Sequence, residues 1–179
     1  MRRILSVCVL IMLMCLNIGN CYGWSSDYIK QMVNKSGYLD ITDTSWAYES
    51  VNAMSQKGIV KGYPDGSFKP QATLTYGEFI KMVLIAETGE DVGNSKTGNW
   101  ALNYYNKASE LGYFSHNDIK ANQLNKAITR TDMALIISNI LGEIKIENYS
   151  KLENSLKDIN STVKNDYDII KVYAKGIIT

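Results

Sequence analysis

The chain has 179 residues, 45% of them hydrophobic and 21% charged, with a formal net charge of +1. That length fits one ordinary domain or two small ones, and the hydrophobic share excludes a wholly disordered chain. The near-zero charge excludes a strongly basic nucleic-acid binder and a polyanionic tail.

The first element is an address. Arg2 and Arg3 precede an apolar run over residues 4–16, interrupted only by Ser6. The run falls short of the roughly 20 apolar residues that cross a bilayer. A basic start, a short apolar stretch and then small residues form a secretory signal, assigned to residues 1–23. Cys21 and Gly23 take the minus-three and minus-one places of a cleavage before Trp24. A buried or anchoring N-terminal helix is the alternative. A lipoprotein is disfavoured, because Met14 and Asn20 are poor residues before a lipidated cysteine. Cys8, Cys15 and Cys21 all leave with the signal. Removing 23 of 179 residues leaves 156, with 17 basic and 18 acidic side chains and a net charge of −1. Such a chain rests on its apolar core without disulfides, and it excludes cysteine-based zinc sites and thiol nucleophiles. Residues 24–37 form a leader with a candidate short helix over 25–35.

Beyond the leader the chain repeats. A shift of 54 residues places Trp46-Ala47 on Trp100-Ala101, Gly58 on Gly112, Leu74-Thr75 on Ile128-Thr129, and Glu78 on Asp132. A shift of 118 places Asp40-Ile41 on Asp158-Ile159 and residues 57–60 on 175–178. The units are residues 38–90, residues 91–145 and a partial third over 146–179.

Each unit reads as helix, loop, helix. In the first helices, Ala47, Val51 and Met54, then Ala101, Tyr105 and Ala108, make one-sided apolar stripes of helical period; Ile169 and Val172 continue the pattern in the third. Gly58, Gly112 and Gly176 stand where a left-handed helix stop is needed, each followed by an apolar residue. The loop over 62–70, Gly-Tyr-Pro-Asp-Gly-Ser-Phe-Lys-Pro, carries turn chemistry at Pro-Asp-Gly. With one aspartate it lacks the alternating oxygens of a calcium loop. The second helices open on Thr75-Tyr76-Gly77-Glu78, with capping-box spacing, and on Thr129-Arg130-Thr131-Asp132, with a shorter acid. Phe79, Val83 and Ala86, then Met133, Ile137 and Ile140, make their stripes. Polar segments over 87–99 and 142–155 are expected to join the units.

These motifs resemble the S-layer homology repeat of bacterial cell-surface proteins. The resemblance is carried by Asp40-Ile41, Trp46-Ala47, Gly58-Ile59, the loop over 62–70, and Thr129 through Asp132. It implies an all-α fold of tandem helix-loop-helix repeats packed with approximate threefold symmetry, the third truncated. It also implies a module that anchors exported proteins non-covalently to secondary cell-wall polysaccharide, often pyruvylated, in grooves between repeats. The arginine of the Thr-Arg-x-acid tetrad is then a principal ligand contact. Unit one departs from the pattern, with Tyr76 at the arginine place and Gly77 beside it. Unit two has Asn94 at the opening aspartate, and its loop over 115–124 lacks the Gly-Tyr-Pro-Asp-Gly run.

Arg130 is the one arginine left after the signal. Its planar guanidinium fork matches a carboxylate with two hydrogen bonds, whereas an exposed first-turn cation is slightly unfavourable for its helix. Trp46 and Trp100 line a sugar groove or begin a packed stripe. Thr129 and Asp132 are helix caps or ligand contacts, as are Thr75 and Glu78 in unit one. Asp40 and Asp158 accept hydrogen bonds in the groove or cap helix starts. His116 is the only histidine, so no histidine cluster or His-paired cysteine forms, and no carboxylate sits in a catalytic motif. The expected partner is cell-wall polysaccharide, with no cofactor, no metal, no nucleic acid, no catalysis and no membrane insertion after signal cleavage. The unfinished third repeat is open to self-association. The expected location is the bacterial cell wall or S-layer. The rival expectations are an N-terminal fragment of a larger anchored protein or enzyme, and a tether between an outer membrane and the wall.

Overall fold

The computed structural model describes residues 37–156 and 165–177. The expected signal, the candidate leader helix and Asp158 lie outside them. Among the described residues six α-helices follow in order: α1 (Tyr48–Gln56), α2 (Tyr76–Thr88), α3 (Leu102–Glu110), α4 (Arg130–Leu141), α5 (Tyr149–Ser155) and α6 (Asp166–Ala174). A 3₁₀ turn, Ala121–Gln123, precedes α4. Among the described residues strand pairing is limited to one antiparallel bridge, Thr75 with Ala127. The fold is all-α. It forms two compact units: the described residues up to Thr73 with Ile85–Glu90, and Leu74–Leu84 with the described residues from Asp91 onward.

The first helices of the assigned units start and stop alike. Ala47 and Ala101 are the N-cap residues of α1 and α3, and both are wholly buried. A polar cap would lose its water there, so the smallest apolar side chain takes the place. Gly58, Gly112 and Gly176 end α1, α3 and α6 with φ near +70 to +79°. Each glycine amide bonds the carbonyl three residues back, and the next amide reaches five residues back, as Ile59 to Met54, Tyr113 to Ala108 and Ile177 to Val172 at 3.0 Å. This double closure needs a left-handed residue, which glycine enters without a Cβ penalty. The apolar residue that follows, Ile59, Tyr113 or Ile177, is buried in every case.

In the first unit Ile41, Ala47, Tyr48 and Val51 form a core that Tyr38 and Phe68 cover. In the second, Phe79, Ile80, Val83 and Leu84 of α2 are at most 1% exposed, as are Ile136 and Ile137 of α4. Each such side chain stabilises the fold by about 1.5–3 kcal/mol through burial alone. α4 packs against α6. Lys171 of α6 pins that packing: its buried ammonium donates to Ser138 O at 2.6 Å and to Gly142 O. These carbonyls end α4, where a cation complements the helix dipole. Burial pulls the Lys171 pKa down from its ordinary value.

One expectation is corrected here. Residues 142–155, read as a polar joining segment, contain α5 (Tyr149–Ser155). The helix is too short to show a period, and it packs against α6 with Tyr149 stacked on Tyr167 at 6.0 Å between ring centroids. The stripe in α6 also runs differently, since Ile170 and Val172 are wholly buried while Ile169 is half-buried.

Candidate functional site

The loop over 62–70 is held from a distance. Asp40 accepts hydrogen bonds from the amides of Phe68 and Lys69, both at 2.7 Å. The Phe68 amide, chiefly, holds the Asp40 carboxyl below its ordinary pKa. Within the loop the Ser67 amide bonds Asp65, and Lys69 pairs with Asp65 at 2.9 Å. The Ser67 hydroxyl, and then Lys69, keep the Asp65 carboxyl far below the carboxylate range. Lys69 takes a left-handed φ of 57°, and its ammonium lies 4.4 Å from the Tyr63 ring centroid. So both Asp40 oxygens serve the loop backbone, and Asp40 caps no helix. Trp46, just before α1, is 46% exposed.

The second unit brings the two tetrads together. Thr75 and Glu78 form the reciprocal capping box: the Thr75 amide donates to Glu78 Oε2 at 2.9 Å, and the Glu78 amide to Thr75 Oγ1 at 3.3 Å. At α4, the Asp132 amide donates to Thr129 Oγ1 at 3.1 Å. The shorter Asp132 carboxylate turns inward instead. It accepts the Thr129 hydroxyl at 2.8 Å and the Tyr76 hydroxyl. Tyr76 is 3% exposed, and burial together with Asp132 pushes its pKa up to about 12. At neutral pH it therefore stays a donor.

Tyr76 reaches Asp132 because the start of α2 lies close against its surroundings. The amides of Tyr76 and Gly77 bond Lys126 O at 3.0 Å and Leu124 O at 2.9 Å. A Cβ on Gly77 would stand 2.8 Å from the Ala101 Cβ, 3.2 Å from Leu124 O and 3.4 Å from Trp100 Cζ2. Glycine is required at that place because no other residue fits. Trp100 is half-buried and meets Tyr104 edge to face. The buried Tyr104 hydroxyl donates to Asp91, and burial, then Asp91, raise its pKa.

Arg130 opens α4 beside this locked cluster. It is exposed, and its guanidinium has no hydrogen bond or ion pair among the described residues. Of the residues singled out by sequence, Thr129, Arg130 and Asp132 share one helical turn, and Trp100 joins them through Gly77 and Tyr76. Asp40 and Trp46 belong to the other unit. Sequence reasoning missed Tyr76, Gly77 and Lys81, the last of which lies over the Trp100 and Tyr104 rings. The tyrosine and glycine are visible in the sequence as departures from the tetrad, but the buried contacts they make are not. His116 shares a hydrogen bond with Tyr105 at 2.7 Å. Among the described residues no group of three His, Cys, Asp or Glu side chains could hold a metal, and no helix is long and apolar enough to cross a membrane.

The S-layer homology domain family matches residues 37–80. The chain carries an S-layer homology domain. The matched stretch covers the Asp40-latched loop and the first turns of α2. Related proteins extend the likeness further. Cell surface glycoprotein 1 of Acetivibrio thermocellus is 30% identical over 143 residues, 71% of this chain and 6% of its own. The middle cell wall protein of Brevibacillus brevis is 38% identical over 104 residues, 58% of this chain and 9% of its own. A cellulosome-anchoring protein of A. thermocellus is 29% identical over 134 residues, 67% of this chain and 29% of its own. The chain thus spans a small part of each of these relatives. No solved structure matches it.

Proposed function

We propose that this S-layer homology domain anchors an exported protein at the bacterial cell wall by binding secondary cell-wall polysaccharide non-covalently. The cell-surface, cell-wall and cellulosome-anchoring relatives support the surface location and the anchoring role. The domain is assigned repeats at 38–90 and 91–145 and a partial repeat at 146–179, behind a signal at 1–23.

One observation carries the polysaccharide reading. Arg130 is exposed and has no partner among the described residues, while the two residues of its tetrad that could compete for it, Thr129 and Asp132, bond each other and Tyr76. The guanidinium fork is thereby left for a ligand carboxylate, such as a pyruvate ketal. Asp132 acts in this reading as a support that fixes the helix start, and Trp100 as a wall of the groove. Trp46 offers an exposed aromatic face to a sugar. Asp40 holds the loop and acts through it. No step of this binding needs a cofactor, and we assign the domain no catalysis.

The test is sedimentation with purified sacculi. Wild type pellets with sacculi that retain their polysaccharide and stays in solution with stripped sacculi. Equal pelleting with both would overturn the reading. A second reading places the domain as the anchoring part of a larger surface protein or enzyme, favoured by the small share of each relative that it spans. Mass determination of the protein from cell envelopes, by immunoblot, separates the two.

A further inference from the structure

α2 carries a cation that the tetrad does not use. Lys81 stands one turn after Gly77 on the same helix face. Its ammonium lies 4.9 Å from the Tyr104 ring centroid and 5.8 Å from that of Trp100. The two rings meet at 6.2 Å and 65°, an aromatic corner fixed from behind. Tyr104 is 1% exposed with its hydroxyl spent on Asp91, and Trp100 is pressed onto Gly77. The corner is rigid, and the lysine stem lies along it.

Three other lysines spend their charge on the protein. Lys69 pairs with Asp65, Lys107 with Glu110, and Lys171 with two carbonyls. Lys81 is held over aromatic faces, and its three N–H donors meet no carboxylate or carbonyl among the described residues. A cation–π contact positions an ammonium without occupying those donors. Beside it the indole of Trp100 remains partly open.

We infer that Lys81 and Trp100 form a second ligand contact, which takes an anionic sugar unit. The ammonium meets the sugar carboxylate, and the indole meets the apolar C–H face of the ring. This rests on the polysaccharide reading and adds to it a site whose cation is a lysine. An ammonium is a point charge that accepts a carboxylate from several directions, whereas the Arg130 fork demands a planar approach. The two contacts therefore tolerate different presentations of the acidic group along one polymer.

The test compares wild type with Lys81→Met, which keeps the stem on the rings, and Lys81→Arg, which keeps the charge. Each is pelleted with sacculi, with Arg130→Ala alongside and thermal melts as folding controls. Lys81→Met weakens binding by about fivefold or more, and Lys81→Arg, which keeps the charge over the rings, recovers part of that loss. In isotope-labelled protein, polysaccharide released from sacculi shifts the Trp100 indole resonance, and the same polysaccharide with its carboxylates amidated does not. If wild type pellets and Arg130→Ala weakens it while Lys81→Met binds as wild type, the Lys81 site falls and the polysaccharide reading stands. Failure of wild type to pellet at all overturns both. An indole resonance that shifts equally with the amidated polysaccharide overturns the anionic part of the inference.

Discussion

The starts of α2 and α4 are built on one local plan and used in opposite ways. Both begin with a threonine whose hydroxyl accepts the amide three residues on, from Glu78 and from Asp132. In α2 the long acid closes the box on itself, and the residue after the threonine, Tyr76, is buried. In α4 the short acid takes the Thr129 hydroxyl and the Tyr76 hydroxyl together, and the residue after the threonine, Arg130, is exposed. Local capping fixes the helix start and leaves the next side chain to tertiary contacts. One tetrad thus supplies a pin and the other an exposed cation.

Breaking the pin should cost the most. Gly77→Val forces a branched side chain against Ala101, Leu124 O and Trp100, and should destabilise the domain by about 3 kcal/mol. A thermal melt measures it; an unchanged midpoint would show that α2 is free to move away. Tyr76→Phe removes one donor from the buried Asp132 and should cost about 2 kcal/mol, read by urea unfolding. Thr129→Ala removes the α4 cap and should cost about 1 kcal/mol in the same assay.

The first unit tests a third arrangement, a loop tied by a carboxylate. The Asp40 carboxyl is held below its ordinary value of 3.8 by amide bonds. A depressed folded pKa means that the tie is fully present above pH about 4 and fades as pH falls through the folded value. Amide exchange at Phe68 and Lys69 should therefore rise, relative to the rest of the first unit, on acidification below that point. Asp40→Asn should show the faster exchange already at neutral pH and lose the acid dependence.

What was legible in the sequence is what local chemistry decides. Thr75 with Glu78, Thr129 with Asp132, and the glycines at 58, 112 and 176 announce helix ends within a few residues of themselves. The all-α class follows from the stripes between them. The hydroxyl of Tyr76 meets Asp132 across 56 residues, and Asp40 meets the loop across 28, so neither pairing leaves a local trace. α5 was hidden by its length, and Lys171 by its charge, since a buried lysine is not expected on a core face. The site was legible as a set of residue types, of which Arg130 was singled out for its rarity. That it stands open beside an occupied Asp132 is a tertiary fact.

The smallest expected effect on stability is at Arg130 itself. Arg130→Ala should change unfolding free energy by less than about 0.5 kcal/mol, because the exposed guanidinium bonds no group among the described residues. The same substitution should have the largest effect on binding. The direct measurement is the affinity of wild type, Arg130→Lys and Arg130→Ala for polysaccharide-bearing sacculi, with matched melts. We predict that alanine weakens binding about tenfold or more and that lysine restores only part of it. Equal affinity of wild type and the folded alanine variant would contradict the role given to Arg130.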